Sequence, residues 1–106
     1  MIDLLRGSPS SPEVKSREGA WAEIIWAVER LKGEGWGEFC DRHEDWGRDA
    51  ALWLGRRVGR LSLAELGRLA GGMGYVAVAQ ALTRFGRRME RTPELRQKMA
   101  TIQKQM

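Results

Sequence analysis

Ser62-Leu-Ala-Glu65-Leu-Gly-Arg68-Leu-Ala70-Gly71-Gly72 carries both the start and the stop of one short helix, and the fold is read outward from it. The Ser62 hydroxyl can accept from the Glu65 amide while the Glu65 carboxylate reaches back to the Ser62 amide, so two orphan donors are satisfied at once. Gly71-Gly72 ends the helix, because a residue without a Cβ enters the left-handed region at little cost. A longer helix is predicted over Tyr75–Arg91. At about 100° per residue, Val78, Leu82, Phe85 and Met89 share a narrow arc, and Gln80, Arg84, Arg87, Arg88 and Arg91 lie on the opposite side. One face suits a core and the other is largely guanidinium. Helix, glycine turn, helix is the outline of a helix-turn-helix.

Upstream, a helix is predicted from Ser16 to Lys32, with Trp21, Ile24, Ile25, Val28 and Leu31 as its inner stripe, Ser16 as cap and Gly33 as stop. Residues 33–47 read as a glycine-rich loop with a short turn around Glu38–His43. A helix follows over Arg48–Val58, with Ala51, Leu54 and Val58 inward and Arg56, Arg57 and Arg60 pointing elsewhere. Downstream, Thr92-Pro93 opens a terminal helix whose stripe of Leu95, Met99, Ile102 and Met106 either covers the bundle or forms a dimer seam. Gly7-Ser-Pro-Ser-Ser-Pro12 has no apolar pattern and reads as a flexible leader. The layout is a leader over 1–15, a helical helix-turn-helix domain over 16–91 and a terminal helix or tail over 92–106. With few β-branched residues and no period-two run, the fold class is all-α.

A length of 106 residues allows one small domain, and 42% hydrophobic residues place it among globular chains. No apolar run reaches the roughly 18 residues that a membrane span requires, so no membrane partner is expected. Met1-Ile-Asp-Leu-Leu-Arg6 has an acid where a signal peptide would be basic, and Cys40 is a lone cysteine, so a cytoplasmic location is expected. Charge is divided along the chain. Residues 1–53 hold 7 basic against 11 acidic residues, a net of −4, and residues 54–106 hold 11 against 3, a net of +8. Such one-sided charge is the electrostatic footprint of a nucleic-acid-binding face, and equally describes a solvated surface.

The run from Arg48 to about Ile102 resembles the C-terminal helix-turn-helix domain of bacterial chromosomal replication initiators. It is more similar still to the related domain of HUH-class tyrosine transposases. The resemblance rests on Arg48-Asp-Ala-Ala-Leu-Trp-Leu54, Leu61-Ser-Leu-Ala-Glu-Leu-Gly67, Gly71-Gly72, Val78-Ala-Gln-Ala-Leu82 leading into Phe85, and Thr92-Pro-Glu-Leu-Arg96. It covers about half the chain and implies a TrpR-like helical bundle whose post-glycine helix enters the DNA major groove. Arg68, Gln80, Arg84 and Arg87 are the positions the resemblance implies as contacts. Where initiators carry an Arg-Asp-His-Thr-Thr-like run after the double glycine, this chain has Met73-Gly-Tyr-Val-Ala-Val78, and the loop before Arg48 holds Asp41, Glu44 and Asp45. Recognition of an initiator box is therefore not expected, and a shape-led or phosphate-led contact is. The transposase nuclease, with its paired histidines and nucleophilic tyrosine, has no counterpart in the single His43 and single Tyr75.

Other constellations have blander explanations. Cys40-Asp-Arg-His43 lacks the further ligands of a structural zinc site, so no metal is expected. Ser62 has no nearby base and already caps a helix, and the glycines at 71, 72 and 74 lack the strand and Gly-Lys-Ser/Thr of a phosphate loop. No enzyme activity and no cofactor are expected. Trp21 and Trp53 suit a core, Trp26 lies off its stripe, and Trp36 in the glycine-rich loop suits stacking on a base or a partner.

The leading expectation is a non-enzymatic DNA-binding module, acting on duplex or hairpin DNA, in which Arg56, Arg57, Arg60, Arg68, Arg84, Arg87 and Arg88 hold phosphates. Gln80 and Arg84 are the candidates for base edges. The competing expectation is a protein-interaction or dimerisation domain, with a transposase or a second copy as partner, built on the apolar 73–78 turn, the acidic loop and the surplus tryptophans. The pattern predicts that Arg84→Ala combined with Arg87→Ala weakens DNA binding and flattens its salt dependence, as titrations at two ionic strengths would show.

Overall fold

Six α-helices joined by short turns make up the described residues, 17–42 and 45–105, of the computed structural model, with Arg17 and Glu18 described in backbone only. They are α1 (Arg17–Lys32), α2 (Trp36–Phe39), α3 (Trp46–Arg57), α4 (Leu63–Leu69), α5 (Tyr75–Arg91) and α6 (Pro93–Gln105). No strand occurs among the described residues, and no described helix is long and apolar enough to cross a membrane. The expectations for the leader, the Ser16 cap, His43, Glu44 and Met106 lie outside the described residues.

The central element is α3, which packs against each of the other five helices. Its small residues make this close approach feasible: Gly47, Ala50, Ala51 and Gly55 are all buried, alongside Leu52 and Leu54. A Cβ at Gly47 would collide with the Phe39 ring. This glycine therefore belongs to a packed helix rather than to the loop the sequence suggested. The helix also begins two residues before Arg48, because Asp45 caps it by accepting from the Gly47 amide at 2.7 Å. At the other end Val58 lies outside the core, 39% exposed, because the helix stops at Arg57 and Leu61 turns inward to fill the space.

Trp21, Ile24 and Val28 of α1 are buried as their spacing predicts, with Ile25 and Leu31 packed against the core's edge. On α5 the buried set is Val78, Ala81, Phe85 and Met89, and Leu82 is only half-buried, so the inner arc is rotated toward Ala81. Leu95, Met99 and Ile102 of α6 are buried, and α6 packs on α5, α1 and α3. The terminal stripe thus covers the molecule's own core, which leaves those three side chains no part in a dimer seam.

The capping box is present in full: the Glu65 amide donates to the Ser62 hydroxyl at 3.1 Å and the Ser62 amide to the Glu65 carboxylate at 3.0 Å. After α4 the chain reverses through Gly71 and Gly72, at φ 107° and 94°. The Gly67 carbonyl accepts from both the Gly72 and Met73 amides, at 2.9 and 2.8 Å, which draws the turn back over the helix. A Cβ at Gly67 would run into the Met73 carbonyl oxygen. Because a backbone atom cannot rotate aside, Gly67→Ala is expected to cost about 2 kcal/mol or more, against about 1 kcal/mol for Ser62→Ala. Denaturant unfolding of the two variants checks the order, and equal losses would mean that the turn relaxes freely.

Candidate nucleic-acid interface

The outer side of α5 forms the floor of a shallow groove that runs from Tyr75 and Val76 past Gln80 and Arg84 to Arg87 and Arg91. Its character changes along the helix. Tyr75 and Val76 are 64% and 54% exposed, so the first turn presents apolar surface, and the last two turns present guanidinium groups. Arg87 and Arg91 are exposed and have no ion-pair partner among the described residues. Ala79 and Thr83, also in the groove, are small enough to let a ligand come close to the helix.

The remaining predicted arginines divide into separate groups. Arg56 and Arg57 line an adjoining depression with Trp53, Leu82 and Thr83, which shares Thr83 with the groove. Arg56 donates from Nη1 to the Leu61 carbonyl at 3.0 Å and so ties the end of α3 to the linker. The Arg57 guanidinium lies 5.2 Å from the Trp53 ring centroid, a cation–π stack that holds it against the surface. Arg60 (φ 55°) and Arg68 are exposed, but neither lines these depressions. Arg88 is half-buried and turns to the other side of α5, into a polar cleft that it shares with Arg48, Asp49, Arg84 and Arg91. Arg48, Arg91 and Asp49 were not among the predicted contacts. Their convergence depends on how α3 and α5 cross, which no local pattern records.

Arg84 stands where the groove and the cleft meet, and it is not a free cation. Its Nε donates to one Asp49 carboxylate oxygen at 3.1 Å and its Nη2 to the other at 3.2 Å, a fork that bridges α5 and α3. Asp49 is buried, whereas the Arg84 side chain keeps 59% of its surface exposed. Burial pushes the Asp49 carboxyl above its ordinary value, and the charges of Arg84, Arg48 and Arg88 only partly offset this. Arg84→Ala would leave that carboxylate without its fork, so a loss of binding in that variant confounds contact with folding.

Of the acidic residues the sequence places in the loop before α3, Asp45 is paired, Asp41 is exposed and Glu44 lies outside the described residues. Asp45 pairs with Lys32 at 2.8 Å and Arg42 at 3.0 Å, and Arg42 also binds Glu34 at 2.7 Å. Burial pushes the Asp45 carboxyl up, but hydrogen bonds from Lys32 and the Gly47 amide, with the Lys32 and Arg42 charges, hold it below its ordinary value. The Arg42 hydrogen bond lowers Glu34 likewise. The Lys32 ammonium lies 4.6 and 4.9 Å from the Trp46 and Phe39 ring centroids, with its side chain only 6% exposed. Glu34 and Asp45 are therefore paired within the protein, and the Asp41 carboxylate stands exposed.

Trp36 is also not the open stacking surface expected. Its amide donates to the Glu29 carboxylate at 2.8 Å, which turns the ring inward to meet Trp21 and Phe39 edge-on at 5.7 and 5.5 Å. Trp53 packs on Phe85 at 6.0 Å, and Trp26 is the exposed tryptophan, 59% accessible, with Arg30 stacked on it at 4.7 Å. Cys40 is a half-buried free thiol. Comparison with protein-family models, with curated proteins and with solved structures finds no match to this chain.

The sign of the Asp49 shift gives a direct test. A carboxyl raised in the folded state contributes stability that is present below its unfolded pKa and lost as pH rises through the folded value. Asp49→Asn, which imitates the protonated form, is expected to be at least as stable as the native protein at pH 7, with any advantage vanishing below pH of about 4. Asp45 runs the opposite way, its stabilisation being lost as pH falls through its lowered folded value. Thermal unfolding of both proteins from pH 3 to 7 reads the difference.

Proposed function

We propose that this protein is a non-enzymatic DNA-binding module of the TrpR-like helix-turn-helix kind, in which α4 and α5 are the two helices of the motif and α5 lies in the major groove. The reading is carried by one observation: the exposed side of the helix after the glycine turn presents Gln80, Arg84, Arg87 and Arg91 along a single groove. In this reading Arg87 and Arg91 neutralise phosphates, with Arg56, Arg57, Arg60, Arg68 and Arg88 adding to the positive field around α5. Tyr75, Val76 and Ala77 at the start of the helix offer apolar contact of the kind a thymine methyl accepts, and Gln80 and Arg84 offer donors to base edges. The partial neutralisation of the loop before α3 supports it too, since Glu34 and Asp45 are paired with Lys32 and Arg42. The likeness of residues 48–102 to the accessory domain of tyrosine transposases agrees with a role as a DNA-binding piece without a nuclease.

A second reading, docking of a protein partner, draws on the exposed Tyr75 and Val76. It predicts association that persists at high salt, because apolar contact is not screened.

The deciding experiment is fluorescence anisotropy with labelled duplex and hairpin DNA at low and physiological salt. Binding is expected to weaken steeply with salt. Arg87→Ala with Arg91→Ala, which leaves Asp49 its partner, is expected to reduce the log–log salt slope by about 1.8, roughly 0.9 for each phosphate no longer neutralised. A folded protein that binds neither DNA at low salt would overturn the reading.

A further inference from the structure

Arg84 is the one arginine of the α5 groove that is held in place, and the way it is held selects what it can recognise. Asp49 occupies Nε and Nη2, and Nη1 has no hydrogen-bond partner among the described residues. An arginine gripped along its Nε edge presents its far edge, Nη1 with the second Nη2 hydrogen, as an outward fork. Two further features bear on what that fork meets. The Arg84 side chain is 59% exposed although it is paired, and it lines the groove. The residue one turn earlier on the same face is Gln80, another side chain suited to a base edge.

The pairing also argues against a phosphate. An ionised Asp49 beside the guanidinium cancels most of its charge at a distance, and a phosphate brought to Arg84 would face that carboxylate behind it. A neutral ligand with two acceptors in one plane suffers no such repulsion and still gains both hydrogen bonds. In duplex DNA, the major-groove edge of guanine supplies that pair of acceptors through O6 and N7.

We propose that Asp49 is a positioning residue that holds the Arg84 guanidinium as a preset two-donor fork, and that this fork reads a guanine in the major groove. The inference rests on the DNA-binding reading above and assigns one base-specific contact within it. Arg87 and Arg91 remain the phosphate ligands, so charge-driven affinity and base preference reside in different arginines of one helix.

The test uses the full chain. Duplexes bound from a randomised pool are sequenced, and the enriched duplex is then titrated with guanine or 7-deazaguanine, which lacks the N7 acceptor, at each enriched guanine. The native protein is expected to lose about tenfold in affinity at one position. Asp49→Asn is expected to shrink that loss to threefold or less, because the guanidinium is then no longer held in its preset orientation. Asp49→Asn with Arg84→Gln is expected to abolish the 7-deazaguanine effect and keep the native salt slope. Circular dichroism melting confirms folding, and Asp49→Asn decides alone if the double variant does not fold.

An unchanged 7-deazaguanine loss in Asp49→Asn would overturn the proposal. So would a double variant whose salt slope falls by about 0.9, since Arg84 would then be a phosphate ligand. DNA binding by the native protein without any enriched guanine overturns the guanine assignment alone. Absence of DNA binding removes the DNA-binding reading and this inference with it.

Discussion

Close packing around α3 is the constraint on which the rest of the molecule depends. A helix with neighbours on nearly every side must be narrow where they cross it, and Gly47, Ala50, Ala51 and Gly55 keep it so. Leu52 and Leu54 then reach into the space the small residues leave, and Phe39, Leu66, Phe85 and Met99 fill it from other elements. An enlarged side chain at Gly47 would drive Phe39 outward and with it the loop that carries the cap of α3.

Electrostatics is organised around the same helix. At its N-terminus Asp45 combines the cap with the Lys32 and Arg42 pairs, so the turn between α1 and α3 is held by a sequestered Lys32–Asp45 pair with the more exposed Arg42 beside it. One turn further, Asp49 faces α5 and takes Arg84. The two aspartates have opposite balances. Asp45 has enough donors to outweigh its burial, whereas Asp49 does not, and the unfavourable ionisation falls on the residue that reaches the candidate interface.

The groove along α5 has an apolar beginning and a cationic end, and its arginines differ in what they can do. Arg87 and Arg91 at the far end, with no ion-pair partner among the described residues, carry net charge and supply long-range attraction, which salt screens. A paired arginine at the middle carries little net charge and supplies direction instead. Gln80 shares that directional character one turn away.

Local chemistry was legible in the sequence. The capping box at Ser62–Glu65, the double-glycine stop and the limits of α5 follow from hydrogen bonds and dihedral preferences within a few residues. The arginine side of α5 follows from helical periodicity, and so does the inner stripe of α1. Four features did not follow: the inward turn of Trp36, the pairing of Asp45 with Lys32, the packed Gly47 and the Asp49–Arg84 fork. Each joins residues on different elements, and Asp49 and Arg84 lie 35 positions apart. Periodicity tells which side of a helix is polar, because it depends only on the rise and turn of one element. Which polar groups of that side remain free depends on what a second element brings opposite them, and tertiary structure alone decides that.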